Sequence, residues 1–177
     1  MLRMLKTSMH QGCLRPMIVT DLESVLALRN RIEVRRYMLT QHEISIDEHL
    51  LWFERSSRNP KKKLLVLEIE KKCCGLVQFE ETKYSGVTDW GFYTDPDSQK
   101  GTGKMLGRYA LAYAFKNKCV YKICGQALHL NRPSIEFHKS LGFAQEGILR
   151  NHHFDGLEFH DLICFGILKS EFAKECA

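Results

Sequence analysis

The stretch Asp95-Pro96-Asp97-Ser98-Gln99-Lys100-Gly101-Thr102-Gly103-Lys104 limits most what this chain can fold into. A strand-like run, Val87 to Tyr93, leads into it, and a helical run, Met105 to Asn117, leads out. Two glycines one residue apart let the backbone turn tightly with no Cβ in the way. Successive N–H groups there can aim at one spot, and the following helix adds the positive end of its dipole. Such a turn is a cradle for phosphate oxygens, and Lys100 and Lys104 add charge of the right sign. It is neither a P-loop nor a full G-x-G-x-x-G. Taken alone, Gly-x-Gly before a helix also fits a plain turn.

At 177 residues and a net charge of +5, the chain is long enough for one domain with a proper core. The basic balance suits an anionic ligand such as a nucleotide. The longest basic run, Lys61-Lys62-Lys63, follows Asn59-Pro60 and reads as a solvated loop. It is too short for a nucleic-acid-binding stripe, so no nucleic-acid partner is expected. Seven cysteines form no C-x-x-C pair, and Cys124 and Cys164 lie in apolar strand-like runs. Buried free thiols in a reducing compartment fit this better than a disulfide frame or a zinc site. Met1 to Gly12 is interrupted by Arg3, Lys6 and His10, so neither a signal peptide nor a membrane span is expected. The resulting expectation is a cytoplasmic protein with a leader at 1–12, a domain at 13–172 and a tail at 173–177.

A short strand at Leu14 to Val19 precedes two capping boxes. Thr20-Asp21-Leu22-Glu23 opens a helix carrying Leu22, Val25, Leu26 and Leu28 to about Asn30. Ser45-Ile46-Asp47-Glu48 opens another, with Leu50 to Phe53, that ends near Asn59-Pro60. The polar segment between them, Arg31 to Glu43, holds Tyr37, Met38 and His42 and is placed as a substrate wall. Strands follow at Leu64 to Ile69 and Leu76 to Glu80, joined by a turn through Lys71 to Gly75, and then at Val87 to Tyr93. Beyond the Gly-x-Gly helix come a strand at Val120 to Leu130 and a helix at Pro133 to Ser140 capped by Gly142. Asp155-Gly156 then joins Gln145 to His153 with Glu158 to Leu168 as a hairpin. This order predicts a single mixed α/β layer structure.

Two motifs sharpen the reading. Gly-x-Gly follows the fourth strand, and Asn131-Arg132-Pro133-Ser134-Ile135-Glu136-Phe137-His138-Lys139-Ser140-Leu141-Gly142-Phe143 follows the fifth. The arrangement resembles the GCN5-related N-acetyltransferases (GNAT) over nearly the whole chain, about Leu14 to Phe172. The resemblance implies a mostly antiparallel sheet of six to seven strands, splayed between strands 4 and 5 and flanked by about four helices. It implies acetyl-CoA as cosubstrate, its pyrophosphate and pantetheine held by main-chain N–H groups of the Gly-x-Gly turn. The family's first cradle position, Gln or Arg, is Ser98 here. Strings such as "DWGFYTDP", "NRPSIEFHKSLGF" and "RNHHFDGLEFHDLICFGIL" are similar to the narrower group of pseudaminic acid pathway acetyltransferases. That group acetylates the 4-amino group of a UDP-linked 4-amino-4,6-dideoxy-N-acetyl-β-L-altrosamine on the way to flagellin glycosylation. A protein N-terminal acetyltransferase of the ribosomal-protein type, a polyamine acetyltransferase and a non-catalytic CoA-binding module are the alternatives.

By this resemblance the cofactor contacts are Phe92, Thr94, Lys100, Gly101, Thr102, Gly103, Lys104 and Asn131. His138 stands where the family has the Tyr that protonates the departing thiolate, and a histidine is a competent donor near neutrality. Main-chain N–H groups from Phe92 to Thr94 would steady the carbonyl oxygen. Tyr93 fits either a reactant contact or a strand aromatic. Arg29 and His49 match nucleotide-site positions of the narrower group, although Arg29 also fits an ordinary helix-end cation. Met38 and Trp52 suit a wall for the sugar's methyl group, or core packing. Gln126 and His129 lie near the amine on the fifth strand, at an odd spacing that puts them on opposite faces, so only one can serve as base. His152, His153, His160 and Asp161 flank the hairpin without converging, and no metal site is expected. The partners implied are a UDP-amino sugar and a second copy of the chain in a homodimer.

Overall fold

The computed structural model describes residues 12–175. Residues 1–11, most of the expected leader, and Cys176 at the other end lie outside the described residues.

Three apolar runs with short turns build an antiparallel meander: β2 (Lys62–Ile69), β3 (Lys72–Glu81) and β4 (Val87–Thr94). The β2–β3 turn is Glu70-Lys71, with φ of 50° and 65°. Two consecutive left-handed residues match the twist of a two-residue hairpin. The turn therefore comes earlier than the Lys71 to Gly75 expected, and Gly75 lies inside β3 opposite Thr94. β1 (Cys13–Pro16) pairs with β2 and stops short of Val19. β5 (Lys122–Leu128) runs parallel to β4, and β6 (Ala144–Phe154) and β7 (Phe159–Leu168) form the terminal hairpin. The seven-stranded order is β1-β2-β3-β4-β5-β7-β6, so the last strand in sequence sits inside the sheet.

Helices cover both faces of the sheet. One face carries α4 (Thr102–Lys116), α5 (Arg132–Ser140) and α6 (Lys169–Glu175). Leu106, Ala110, Leu111, Ile135 and Leu141 there pack on Leu65, Val77, Trp90, Ile123 and Phe165. The other face carries α1 (Leu22–Asn30), the single turn α2 (Ile32–Arg35) and α3 (Ile46–Arg58), with Val25 against Leu64, Val66 and Leu76. The four helices of nine residues or more are those legible in the sequence.

One predicted cap forms and the other does not. Ser45 accepts from the Glu48 amide at 3.2 Å and starts α3. Thr20 instead lies in a 3₁₀ turn, Val19–Asp21, and caps nothing. There the Asp21 carboxylate accepts from the Ile18 amide at 2.9 Å and from both Arg15 guanidinium nitrogens at 2.7 and 2.8 Å. A bidentate ion pair outweighs a single hydroxyl cap. The six described cysteines are free, but Cys13 and Cys119 are exposed and the other four half-buried. None is a fully buried thiol, which corrects the expectation for Cys124 and Cys164. Among the described residues no helix is long and apolar enough to cross a membrane.

Candidate active site

β4 and β5 pair only from Val87↔Lys122 to Asp89↔Cys124. Beyond that point β4 stays with β3 as far as Thr94↔Gly75, and β5 stays with β7 as far as Leu128↔Leu162. The sheet therefore opens into a V whose vertex is Asp89/Cys124. Past the vertex, the β4 edge facing β5 has no ladder partner, so its main-chain polar groups from Trp90 to Thr94 are free for a ligand. A cleft of about 650 Å³ fills the opening, lined by Asp89 to Phe92, by Cys124 to Leu128, by Asn131 and Ser134, and by Tyr37 to Leu39.

The Gly-x-Gly turn follows the open end of β4. Gly101 caps α4 at φ +101°, and a Cβ there would meet nothing within 4 Å. The conformation asks for glycine, and the space beside it is open. The loop is stitched to itself: Thr102 donates Oγ1–H to the Gln99 carbonyl at 2.8 Å, and Ser98 donates Oγ–H to the Asp95 carbonyl at 2.6 Å. The amides of the first turn of α4 have no intrahelical acceptor. Exposed Lys100 and Lys104 flank them. The residues present fit a diphosphate. Thr102 contributes neither donor, because its amide and its buried hydroxyl both already bond the Gln99 carbonyl, at 3.1 and 2.8 Å, which leaves the amides of Gly101, Gly103 and Lys104.

Asn131 caps α5, its Oδ1 accepting from the Ser134 amide at 3.1 Å, and its NH₂ remains able to donate at the cleft. Phe92 turns its ring away from the acceptor side onto Phe137, centroids 4.4 Å apart, so only its backbone can serve the cleft.

His138 is in a different place from the one the motif implies. It is 1% exposed, beneath the V, stacked on Phe165 at 4.6 Å and ringed by Trp90, Phe92, Phe137 and Phe143. Nδ1 lies 2.7 Å from the Ser134 carbonyl and must carry the proton, while Nε2 accepts from Trp90 Nε1–H at 3.2 Å. Burial pulls its pKa down to about 4. At neutral pH its single proton is donated to a helix carbonyl, so the ring has none for a departing thiolate. The residue is a bracket tying α5 to β4. Gly125 makes room for it: a Cβ there would lie 2.5 Å from both His138 Nε2 and Trp90 Nε1.

A chamber of about 390 Å³ opens off the cleft on the α1–α3 face and shares Met38, Leu39, Gly91 and Phe92 with it. Its other lining residues include Arg29, Thr40, Glu48, Trp52, Gln78 and Tyr93. Arg29 is 9% exposed and donates Nη2–H to the Thr40 carbonyl at 2.6 Å, while Nη1 is buried with no partner. Burial lowers its pKa, with Tyr93 and Glu48 opposing. Glu48 already pairs with His42 at 2.9 Å. Burial also holds the Tyr93 hydroxyl protonated, well above the usual phenol range. His49 is 3% exposed and stacks on Trp52 at 4.9 Å, behind the chamber wall. Burial and Arg29 lower its pKa, so it is a neutral prop for Trp52 rather than a lining group.

The two fifth-strand candidates separate. Gln126 lines the cleft. His129 lies past the end of β5, its amide bonded to the Asp161 carbonyl and its ring 5.6 Å from His160, on the hairpin side. It is not among the residues that line the cleft. The hairpin turn also gathers Asp155, Glu158 and His160 within 4.8 Å, a set not singled out in the sequence. Asp155 is spent on the turn, accepting the Leu157 and Glu158 amides on Oδ1 and pairing Oδ2 with His160 at 2.7 Å. Sequence reasoning passed over Asp89 and Gln78. Strand alternation from Tyr93 would have found Asp89 on the acceptor face.

A glycine turn that fits a diphosphate stands at the mouth of a split sheet, with a chamber opening off the cleft on the α1–α3 face, an arrangement suited to an acyl-CoA-dependent transferase. The family described as Acetyltransferase (GNAT) domain matches residues 12–144, and the chain belongs to it. It is an acetyl-CoA-dependent N-acetyltransferase. The chain is 28% identical over 125 residues to the SPbeta prophage-derived uncharacterized N-acetyltransferase YokL of Bacillus subtilis, covering 68% of this chain and 70% of that one. It is 23% identical over 123 residues to acetyltransferase PseH of Campylobacter jejuni, covering 70% and 76%. It is 26% identical over 165 residues to spermidine N(1)-acetyltransferase of Vibrio cholerae, covering 92% and 95%. The crystal structure of spermidine N-acetyltransferase from Vibrio cholerae with CoA and spermine superposes with a TM-score of 0.84 at 24% identity, covering 92% of this chain and 98% of that one. That likeness is one of fold. Of these three relatives one, at 26% identity, is named for its acceptor, so the family decides the reaction and leaves the acceptor open.

Proposed function

We propose that the acceptor is an anionic, amine-bearing small molecule, with a UDP-linked 4-amino sugar of the pseudaminic acid pathway as the specific reading. The observation that carries it is Arg29. A guanidinium nine-tenths buried, with one nitrogen unpartnered and no carboxylate paired to it, is costly unless an anion completes it. A phosphate oxygen does so and gains a charge-assisted bond. Met38 and Trp52 offer apolar surface to a deoxysugar beside it. A polycation would meet a like charge at Arg29, which disfavours a polyamine.

Bound acetyl-CoA supplies the activated acetyl group. The amides of Gly101, Gly103 and Lys104, with Lys100, would hold its diphosphate, and Asn131 would meet its arm at the split. A main-chain N–H of β4 between Phe92 and Thr94 steadies the carbonyl oxygen as charge develops. Most of the rate gain is positioning of two bound reactants, with no covalent enzyme intermediate. Tyr93, kept protonated, donates a hydrogen bond in the chamber.

The test is release of free CoA with three acceptors: the UDP-4-amino sugar, an N-terminal peptide and spermidine. Turnover of the sugar nucleotide, lost in Arg29→Met, is the expected result. Turnover of the peptide or spermidine alone refutes the acceptor, and CoA binding without any turnover refutes catalysis.

A further inference from the structure

An alkylammonium acceptor with a pKa of about 8–10 is protonated at neutral pH and cannot attack a thioester until it loses that proton. Of the two fifth-strand candidates for this work, His129 is not among the residues that line the cleft, and Gln126 lines it but carries an amide, which is too weak a base to take the proton. The carboxylates that line the cleft are Asp89 and Glu146, and Glu146 is bound to Lys122 Nζ at 2.6 Å. Asp89 is different. Among the described residues nothing hydrogen-bonds or pairs with its carboxylate. It sits at the vertex, on the last residue pair before β4 and β5 part, and alternation puts it on the same face as Gly91 and the chamber residue Tyr93.

We propose that Asp89 receives the acceptor ammonium in the V and takes its proton. The ammonium N–H bond breaks toward an Asp89 oxygen, leaving a neutral amine with a free electron pair. That pair forms the C–N bond as the C–S bond breaks, and the second proton shed by nitrogen goes to the departing sulfur. Asp89 then returns its proton to water through the open cleft. The inference rests on the acetyl-transfer reading, but not on the acceptor being a sugar nucleotide.

The surroundings suit a proton acceptor. Glu80 faces Asp89 across β3 and is paired with Lys62 at 3.1 Å, while Cys124 faces it across β5. Lys83 and Tyr84 from the β3–β4 loop, Tyr37 from the α2–α3 segment and the Lys122–Glu146 pair complete the ring of titratable groups around that end of the cleft. Partial desolvation, then Glu80, holds the Asp89 carboxyl above the ordinary aspartate range. That makes it a better base than an ordinary aspartate.

The experiment compares wild type, Asp89→Asn and Asp89→Glu, using whichever of the UDP-4-amino sugar, the N-terminal peptide or spermidine wild type acetylates fastest. Asn should lower kcat/KM about 100-fold at pH 7. The deficit should shrink as pH rises past the amine pKa, and Glu should recover part of the rate. Calorimetry gives a readout apart from turnover. Asn should weaken binding of the chosen amine about 10-fold and leave UDP-N-acetylglucosamine, which has no ammonium, unchanged. A loss under threefold, or a deficit that stays constant with pH, overturns the assignment. Should wild type acetylate none of the three, the acetyl-transfer reading fails on its own account. Carbon NMR of the labelled Asp89 carboxyl then judges the residue separately, and a midpoint in the ordinary aspartate range that ignores added amine overturns it.

Discussion

Replacing His138 with Phe separates a bracket from an acid. The variant keeps an aromatic ring against Phe165 but removes the acceptor of Trp90 Nε1–H and the donor to the Ser134 carbonyl. Trp90 is 7% exposed, so its indole N–H is left buried and unpaired, at a cost of about 1–3 kcal/mol. For a domain of this size that lowers Tm by about 2–4 °C per kcal/mol, so a fall of roughly 2–12 °C is expected at pH 7. The pH dependence carries the sharper test. A folded pKa of about 4 against 6.5 unfolded means that the unfolded chain binds the proton first as pH falls. Stability from this residue is fully present above pH 6.5 and lost between 6.5 and 4, by about 3 kcal/mol in total. Phe has no such loss. Thermal melts from pH 7 to 4.5 should therefore show the gap between wild type and variant closing as the solution is acidified. Turnover measured well below Tm should fall less than about 10-fold, with the pH–rate profile unmoved, whereas loss of a general acid costs about 10²–10⁴. A hundredfold loss of kcat at unchanged Tm, or a displaced pH profile, would refute the bracket and restore the acid.

Three further substitutions test other parts of the site. Arg29→Met should hold or raise Tm, because an incompletely paired buried charge gives way to an apolar side chain, while KM for the sugar nucleotide rises at least 10-fold. A large drop in Tm would show that the Thr40 contact is the residue's purpose. Gly101→Ala forces a Cβ onto φ +101° and should cost about 1–3 kcal/mol, with KM for acetyl-CoA rising as the cradle shifts; equal KM would detach the turn from the cosubstrate. Gly125→Ala drives a Cβ to 2.5 Å from His138 and Trp90 and should cost about 1–3 kcal/mol, checked by urea unfolding. A double variant with His138→Ala should recover part of that loss, since one of the two clash partners is gone.

Local chemistry made much of this protein legible. Asp155-Gly156, with Gly156 at φ 105°, announced its hairpin, Ser45 announced its cap, and the glycines at 101 and 103 announced a tight turn into a helix. What stayed hidden depended on contacts distant in sequence. Thr20 looks like a cap until Arg15 binds both Glu68 and Asp21. His138 looks like a donor until the fold places it under Gly125 with both nitrogens engaged. His49 reads as a ligand group because no local pattern tells a residue that lines a chamber from one that props its wall. Asp89 drew no notice because a carboxylate near a strand end is ordinary, and only the divergence of β4 from β5 makes that position a vertex.

The most direct test of the whole account is a crystal structure of the protein with CoA and UDP. The account predicts the CoA diphosphate within hydrogen-bond distance of the amides between Gly101 and Lys104, the pantetheine arm between β4 and β5, and a UDP phosphate on Arg29 Nη1. CoA bound elsewhere, with the split closed or empty, would contradict it.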